Sequence, residues 1–491
     1  MYNRLKNSLS ILLLLMGLGS LQAAVQDSVI LVRGTVFEDK NGNGKLDKGE
    51  PVLKDILLSN GKEIVASNRK GAYSIYAQKG QSIFPILPAS YAVSLVNSKV
   101  SNANFLYLNP NKVYSDTLYH AVPVVKLKES KERFTIGAIG DIQVDSKEEL
   151  GFAARSIFSE LAERKDLAFN LMLGDLVNNK MGLLTDVKDM MDMLPNNSWT
   201  LLGNHDRNVD NPTFMNDIFN AAFGADHYAF NYGEVHFVVL NNVFSTGKHS
   251  YEGRLDAEQL LFLANDLKHV PKHKTIVINQ HIPMAHTKNR KDIFKLLEGY
   301  SNVLILTGHT HTVNRYFFND TRIQELGVGA TCGNWWRGEK NPAGVPEALM
   351  QCGTPRGYFS IQFEKGQYSF QYKGVGMDAT NQVSLMQEGN VLLANVYAGS
   401  DSTLVKVRIN DADWQIMSPA KRIDPYVSQL VEKNKSKVYP TLGNTVNPLG
   451  KRASSHVWEL ALPTGFSEKI NKLQVSASDK FGLAVTEEFL F

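Results

Sequence analysis

Five apolar runs in this chain each end in Asp, Asn or His, and that repetition constrains the fold more than any other feature. The run 135–139 leads into Gly140-Asp141-Ile142-Gln143, and 169–173 leads into Gly174-Asp175. The run 199–202 leads into Gly203-Asn204-His205-Asp206, 275–278 into Gln280-His281, and 303–306 into Gly308-His309-Thr310-His311. Short apolar runs bounded by turn formers read as buried strands. A Gly at the exit lets the chain turn sharply away from its strand. Between these runs lie longer amphipathic stretches, 150–164 and 255–268; in the second, Leu260, Leu263, Ala264 and Leu267 fall on one helical face. Strands alternating with helices give a layered α/β domain. Carboxylates, amides and imidazoles delivered to one sheet edge make a metal-centred site the expected use of that edge.

The flanks have a different pattern. From 26 to about 125 the chain shows short alternating runs broken by Gly, Asn, Asp and Ser, which reads as a small β-sandwich. After 365 strands return at 368–372, 391–397, 403–408, 456–460 and 472–476, giving a second sandwich with no catalytic constellation. The expected division is a leader at 1–24, an N-terminal β-sandwich at 25–129, the α/β domain at 130–364 and a C-terminal β-sandwich at 365–491. At 491 residues the chain is long enough for several such units.

The leader reading rests on Arg4 and Lys6, the short apolar core 11–18, and small residues Ala23 and Ala24 at a cleavage point. That core is shorter than the ~20 residues a membrane span needs. The expectation is therefore an exported protein, periplasmic or on a bacterial cell surface, with no transmembrane segment in the mature chain. Net charge is +3 for the full chain, and +1 without Arg4 and Lys6, which argues against a dedicated nucleic-acid partner. Cys332 and Cys352 are the only cysteines. In an exported chain they are either one disulfide or two buried thiols.

Within the first sandwich, 39–50 has the spacing of a twelve-residue calcium loop. Asp39, Asn41, Asn43, Asp47 and Glu50 would offer side-chain oxygens, and Lys45 its backbone carbonyl. A polar hairpin loop is the plainer reading. Either way the role is structural.

The ordered blocks Asp141-Ile142-Gln143, Gly174-Asp175, Gly203-Asn204-His205-Asp206, His281 and Gly308-His309-Thr310-His311 resemble those of the calcineurin-like metallophosphoesterases. The likeness covers about 230 residues, and the three-part layout resembles an exported bacterial subgroup. It implies a four-layer fold, two mixed sheets sandwiched by helices, and two divalent cations (Mn, Fe, Zn or Mg). It further implies that Asp175 bridges both metals, that Asp141 and His311 complete one site, and that Asn204, His281 and His309 complete the other. Two cations about 3.5–4 Å apart can clamp phosphoryl oxygens and turn a bridging water into hydroxide at neutral pH. His309 and His311, two apart, would point to one side of an extended segment. The family's first block usually has His where this chain has Gln143, which is expected to bind its metal through a carbonyl oxygen and more weakly. His205, beside a ligand and not needed as one, is the expected general acid, with Asp206 orienting it or holding the turn.

Substrate contacts are expected from Arg207 and from the Gly-rich segment just beyond the last block: Trp335, Trp336, Arg337 and Arg356. The expected reaction is hydrolysis of a phosphate ester, leaning to a diester, on a small molecule or a cell-envelope polymer. The alternatives are a phosphomonoesterase or nucleotidase of the same family, and an exported surface or glycan-binding protein whose central domain has lost activity.

Overall fold

The structure is a computed structural model that describes residues 29–128, 131–435, 449–466 and 470–491; the leader at 1–24 lies outside them. Two sheets form the centre. The first runs in the order Ser198–Thr200, Leu167–Met172, Arg133–Ile139, Gly357–Glu364, Gln367–Gly374. Its first three strands are parallel and the last two antiparallel. The second runs Tyr228–Tyr232, Val235–Val239, Thr275–Asn279, Val303–Thr307, Ile323–Val328, Val313–Phe318.

Strand periodicity sorts side chains between two cores. Phe134, Ile136, Ala138, Phe169 and Leu171 pack between the sheets with Phe237, Val277 and Ile305. Ile139 and Met172 face the other way, against Phe152, Ile157, Val187, Met191 and Phe219 from the outer helices. Those helices are the stretch 147–163, Leu184–Asp192 and Asp217–Phe223. Ala257–Leu267 and Arg290–Leu296 cover the second sheet through Phe262, Leu263 and Ile293. Ser146 caps 147–163 by accepting from the Glu149 amide at 3.2 Å, and Asp256 caps its helix through the Gln259 amide at 2.8 Å. Helix, sheet, sheet, helix is the four-layer fold expected from the sequence. All the parallel strands end at one edge, so their exit turns converge.

Two small sheets make the N-terminal unit, around Val32, Val36, Leu58 and Ile75. Strand Ser82–Ile86 serves two cores: Ile83 faces the sandwich, while Phe84 and Ile86 join the central cluster. Phe84 meets Phe262 edge-on at 5.8 Å and Phe105 meets Tyr228 at 5.6 Å. The C-terminal unit has two four-stranded sheets, 383–461 and 404–490 in outer span. One expectation is corrected here. The strand at 368–372 does not belong to this unit, because Gln367–Gly374 pairs along its full length with Gly357–Glu364 at the edge of the central sheet. A boundary at 364/365 therefore cuts a hairpin whose second strand shares the central core through Phe370 and Tyr372.

A buried ion pair ties the centre to the C-terminal unit. Arg315 Nη1 lies 2.7 Å from Asp479 Oδ2, both side chains fully buried, and the guanidinium covers the Phe370 ring at 4.8 Å. Removing one partner of a buried pair leaves an uncompensated charge, so Arg315→Leu is expected to cost about 3–5 kcal/mol. Urea unfolding of the whole chain reads this, and a loss under 1 kcal/mol on the order-of-magnitude scale of exposed pairs would contradict it.

Candidate metal centre

The exit turns adopt backbone that ordinary residues avoid. Asp141 (φ 35°), Gln143 (42°), Asp175 (48°), His309 (73°) and His311 (51°) all lie in the left-handed region. Such strain collects where function fixes side-chain direction. Close approach makes three glycines necessary. A Cβ on Gly203 would sit 2.1 Å from the Asp175 amide nitrogen, one on Gly308 would sit 2.3 Å from Asp141 Oδ1, and one on Gly174 would sit 2.8 Å from the Gly203 nitrogen.

These turns bring together residues far apart in the chain. His281 Nε2 is 3.2 Å from Asp175 Oδ2 and 3.1 Å from Asn204 Oδ1. The ligating atoms of Asp175, His281 and His309 lie within 4.8 Å of one another. Alongside, His311 Nε2 is 3.2 Å from Asp141 Oδ2, whose carboxylate also accepts from the His309 amide at 3.0 Å. The extended geometry expected for 309–311 is not found. Left-handed backbone at both histidines, in a bend between strands, directs them to neighbouring clusters instead.

The imidazoles are oriented for ligation. His281 Nδ1 is 2.8 Å from the Leu173 carbonyl, and His311 Nδ1 is 2.6 Å from the Gly333 carbonyl. An Nδ1–H given to a carbonyl leaves Nε2 as the free lone pair, the arrangement that metal-ligating histidines use. Asn242 braces His281 from behind, donating to the Ile282 carbonyl at 2.7 Å and accepting from its amide at 3.0 Å.

The electrostatics fit cations. Burial opposes ionisation of Asp175, but the imidazoles of His281 and His205 outweigh it and hold the carboxyl well below its usual range. Burial likewise opposes a charged His281, yet Asp175 raises it to about 9. Burial, with His281 as neighbour, pushes His309 down to about 4. A cation bound at Nε2 of His281 and His311 would compete with protons there, so metal uptake would be pH-dependent. Mixed oxygen and imidazole donors around two adjacent points suit divalent first-row metals. The residues present fit a two-metal centre: Asp175 with Asn204, His281 and His309, and Asp141 with His311.

Gln143 lies at the rim of the second group. It is buried, its amide donates to the Asp175 carbonyl at 2.8 Å, and its Oε1 accepts from the Cys332 thiol at 3.7 Å. An imidazole there would add a nitrogen donor, so Gln143→His is expected to tighten the weaker metal roughly tenfold. Competition with a chromogenic chelator measures this, and an unchanged affinity would place Gln143 outside the ligand set.

The remaining expected residues divide. His205 is half-buried, and its ring Nδ1 has no partner. Asp206 does not orient it. That carboxylate is buried and accepts from the Val177 amide at 3.0 Å and the Gly203 amide at 2.9 Å, which staples the turn. Burial and the Asp175 charge push Asp206 up to about 7. Arg207 packs over the Tyr251 ring at 5.1 Å, and its Nε donates to the Asn204 carbonyl at 3.2 Å. Trp335 stacks on His311 with centroids 4.3 Å apart, at the site itself. Trp336 is corrected: it is 1% exposed, and its Nε1 donates to the Ile142 carbonyl at 2.9 Å, so it packs under the site. Arg356 is corrected too. It is buried over Trp336 at 5.1 Å and donates to the Glu347 carbonyl at 3.0 Å. Arg337 sits half-buried beyond Trp336 with one unpartnered Nη1.

Both cysteines are buried free thiols. In the loop 39–50, Asn41 and Asn43 each donate to Asp47 Oδ2 at 2.8 Å, while Asp39 accepts the Gly42, Asn43 and Gly44 amides. Glu50 accepts the Lys40 and Asp47 amides, and the Lys45 amide donates to Asn43 Oδ1 at 2.8 Å. Strand Ile30–Glu38 enters this loop, so its frame is not that of an EF-hand. Sequence reasoning missed Tyr251, whose ring meets His309 at 6.1 Å, because a lone Tyr in a polar loop carries no local signal.

Residues 134–313 match the family model described as calcineurin-like phosphoesterase, and residues 325–484 match that described as C terminal of calcineurin-like phosphoesterase. The chain belongs to the calcineurin-like phosphoesterase family, whose members hold dinuclear divalent metal sites. No curated relative matches its sequence. Among solved structures it is similar to a purple acid phosphatase from yellow lupin seeds, at 12% identity over 65% of this chain and 67% of that one, TM-score 0.36. It is also similar to GAP50, the anchor in the inner membrane complex of Plasmodium, at 14% identity over 50% and 85%, TM-score 0.35. A third is zinc-complexed Vps29 from Entamoeba histolytica, at 11% identity over 49% and 91%, TM-score 0.25. Among the described residues no helix is long and apolar enough to cross a membrane.

Proposed function

We propose that this chain is an active, exported metallophosphoesterase whose preferred substrates are phosphodiesters. The observation that carries the reading is the pair of carboxylate–imidazole clusters around Asp175 and Asp141, linked by His309, whose amide donates to Asp141 while its ring stands with Asp175 and His281. Asp175, Asn204, His281 and His309, with Asp141 and His311, would hold two divalent cations, which would supply neutralisation of phosphoryl oxygens and acidification of water. The chain's own residues do the rest. His205 lies half-buried beside Asp175, its ring not tied down by a hydrogen bond at the buried Nδ1, and its imidazole delivers a proton to the leaving alkoxide. Arg207 places a cation at the same edge, where burial lowers its pKa and Tyr251 and Asp175 oppose that shift. Trp335, stacked on His311, forms one wall. The presence of His205 together with Asp141, Asp175, Asn204, His281, His309 and His311, with Gln143 as the one departure, supports activity over a purely binding role.

A diester has two alcohol arms, and the open cavity beside Arg207 gives the second arm room. Export rests on the leader-like stretch 1–24, and one calcium ion in the loop 39–50 serves the N-terminal unit's stability. The deciding experiment uses metal-stripped mature protein with bis-p-nitrophenyl phosphate and p-nitrophenyl phosphate, restoring Mn²⁺, Fe²⁺, Zn²⁺ or Mg²⁺ in turn. Metal-dependent turnover favouring the diester is expected. Bound metal without turnover of either ester would overturn the activity, and a monoester preference would overturn the diester assignment.

A further inference from the structure

A cavity of about 420 Å³ lies between the N-terminal unit and the phosphoesterase domain, with Arg207 in its wall. Roughly 300–1,000 Å³ is the usual size of a small-molecule site, and such sites favour domain boundaries. This one is braced open. His227 Nε2 lies 3.0 Å from the Gly61 carbonyl, Asn265 donates to the Lys62 carbonyl at 2.9 Å, and Phe214 packs against Gly80. These contacts tie both walls, so the cavity exists before any ligand arrives.

The lining is polar and mixed in sign. Lys79, Arg207 and Arg254 face Asp217, Asp226, Asp256 and Glu258, so a strongly charged occupant would meet its own sign. The carboxylates on the floor are already engaged: Asp226 accepts from Asn216 and Asn241, and Asp217 accepts from Asn208 and Asn211 at 2.9 Å. One group is not. Asn220 is 4% exposed, lines the cavity, and its Oδ1 has no hydrogen-bond partner. A buried acceptor without a partner costs free energy unless a ligand supplies the donor. The Arg254 guanidinium lies over the Phe244 ring at 4.7 Å, and both line the wall beside amides. Amide acceptors, cationic donors and aromatic rings together match an uncharged, hydroxyl-rich group.

Arg207 stands between the cavity and the metal centre. Arg207 follows the Asn204–Asp206 turn, covers Tyr251, and Tyr251 meets His309. We infer that this cavity binds the hydroxyl-rich alcohol arm, a sugar or a polyol, of the phosphate ester that the metal centre cleaves. The inference rests on the phosphoesterase reading and names its substrate class.

The test compares kcat/KM for three p-nitrophenyl phosphodiesters whose second alcohol is propanol, glycerol or glucose. The glyceryl and glucosyl esters are expected to exceed the propyl ester about tenfold, the scale of a hydrogen bond or two. A glucosyl-only preference assigns a sugar, and a shared preference assigns polyols generally. Asn220→Leu is expected to bring the ratio to near one. Thr213→Trp, an exposed rim substitution that narrows the mouth, reads the same ratio if Asn220→Leu does not fold. Equal rates for all three esters, or a ratio unmoved by both variants, overturn the subsite. Calorimetric binding of glycerol 1-phosphate against propyl phosphate to metal-loaded protein reads it without turnover. Equal affinities there overturn the subsite even if esters are cleaved, whereas tighter glycerol 1-phosphate without cleavage overturns only the catalytic reading.

Discussion

Asp175→Ala is expected to abolish metal binding at both positions and to lower ester turnover by about 10³-fold or more, the several kcal/mol that a metal clamp contributes. The geometry makes this residue the joint of the site. Its Oδ2 lies 3.2 Å from His281 Nε2, and its Oδ1 accepts the His205 amide at 2.8 Å. Its backbone carbonyl accepts the Gln143 amide at 2.8 Å. The carboxylate therefore touches two of the five exit turns, and the backbone of the same residue touches a third. Without it, His281 and Asn204 retain a partial site with one charge fewer, too weak to retain a divalent ion through dialysis. Elemental analysis after dialysis, beside turnover of bis-p-nitrophenyl phosphate, measures both effects. Retention of both metals would show that Asp175 bridges nothing. Because the Asp175 side chain also holds the His205 turn, Asp175→Asn serves as the isosteric control. It keeps the shape and loses the charge, and it is expected to lose metal nearly as completely.

His205→Ala separates chemistry from binding. It is expected to keep both metals and to lower kcat by 10²–10⁴-fold, roughly the contribution of a positioned general acid. The effect should depend on the leaving group. An alkyl ester needs the proton and loses most, while a p-nitrophenyl ester leaves as a stable anion and loses least. The hydrogen bond from His205 to Asp175 comes from its backbone amide, so removing the ring leaves that bond in place. An emptied metal site in His205→Ala would mean that the ring is a ligand. An equal loss for both ester classes would mean that it stabilises phosphoryl charge without moving a proton. Asp206→Asn supplies the contrast. Its carboxylate holds backbone amides of Val177 and Gly203, so the substitution is expected to reduce stability more than to change leaving-group dependence.

The order of the candidate ligands was legible because each block follows an apolar run. A buried strand must be apolar over four or five residues, and its exit is where polar groups can begin. Candidate metal-binding residues at strand ends are therefore local features, readable block by block. Asp206 was ambiguous for a related reason. An Asp after Gly-Asn-His satisfies turn amides as readily as it orients an imidazole, and only the distances to Val177 and Gly203 separate the two. Trp335 and Trp336 are adjacent and chemically identical, yet one stacks on His311 and the other is sealed beneath Ile142. Left-handed backbone at both residues sends the two rings in different directions, which composition cannot foretell.

By itself, the amino-acid sequence determined the layered α/β centre between two β-rich flanks and the set of residues able to hold metal, since strand and helix periods and turn chemistry are local properties. Tertiary structure alone decided the rest. It set Asp141 against His309, 168 positions away, and placed Gln367–Gly374 in the central sheet. It also left a polar cavity with an unpartnered Asn220 between the N-terminal unit and the metal centre. Those outcomes depend on which surfaces meet across long chain separations, and that choice is made by packing the whole molecule at once.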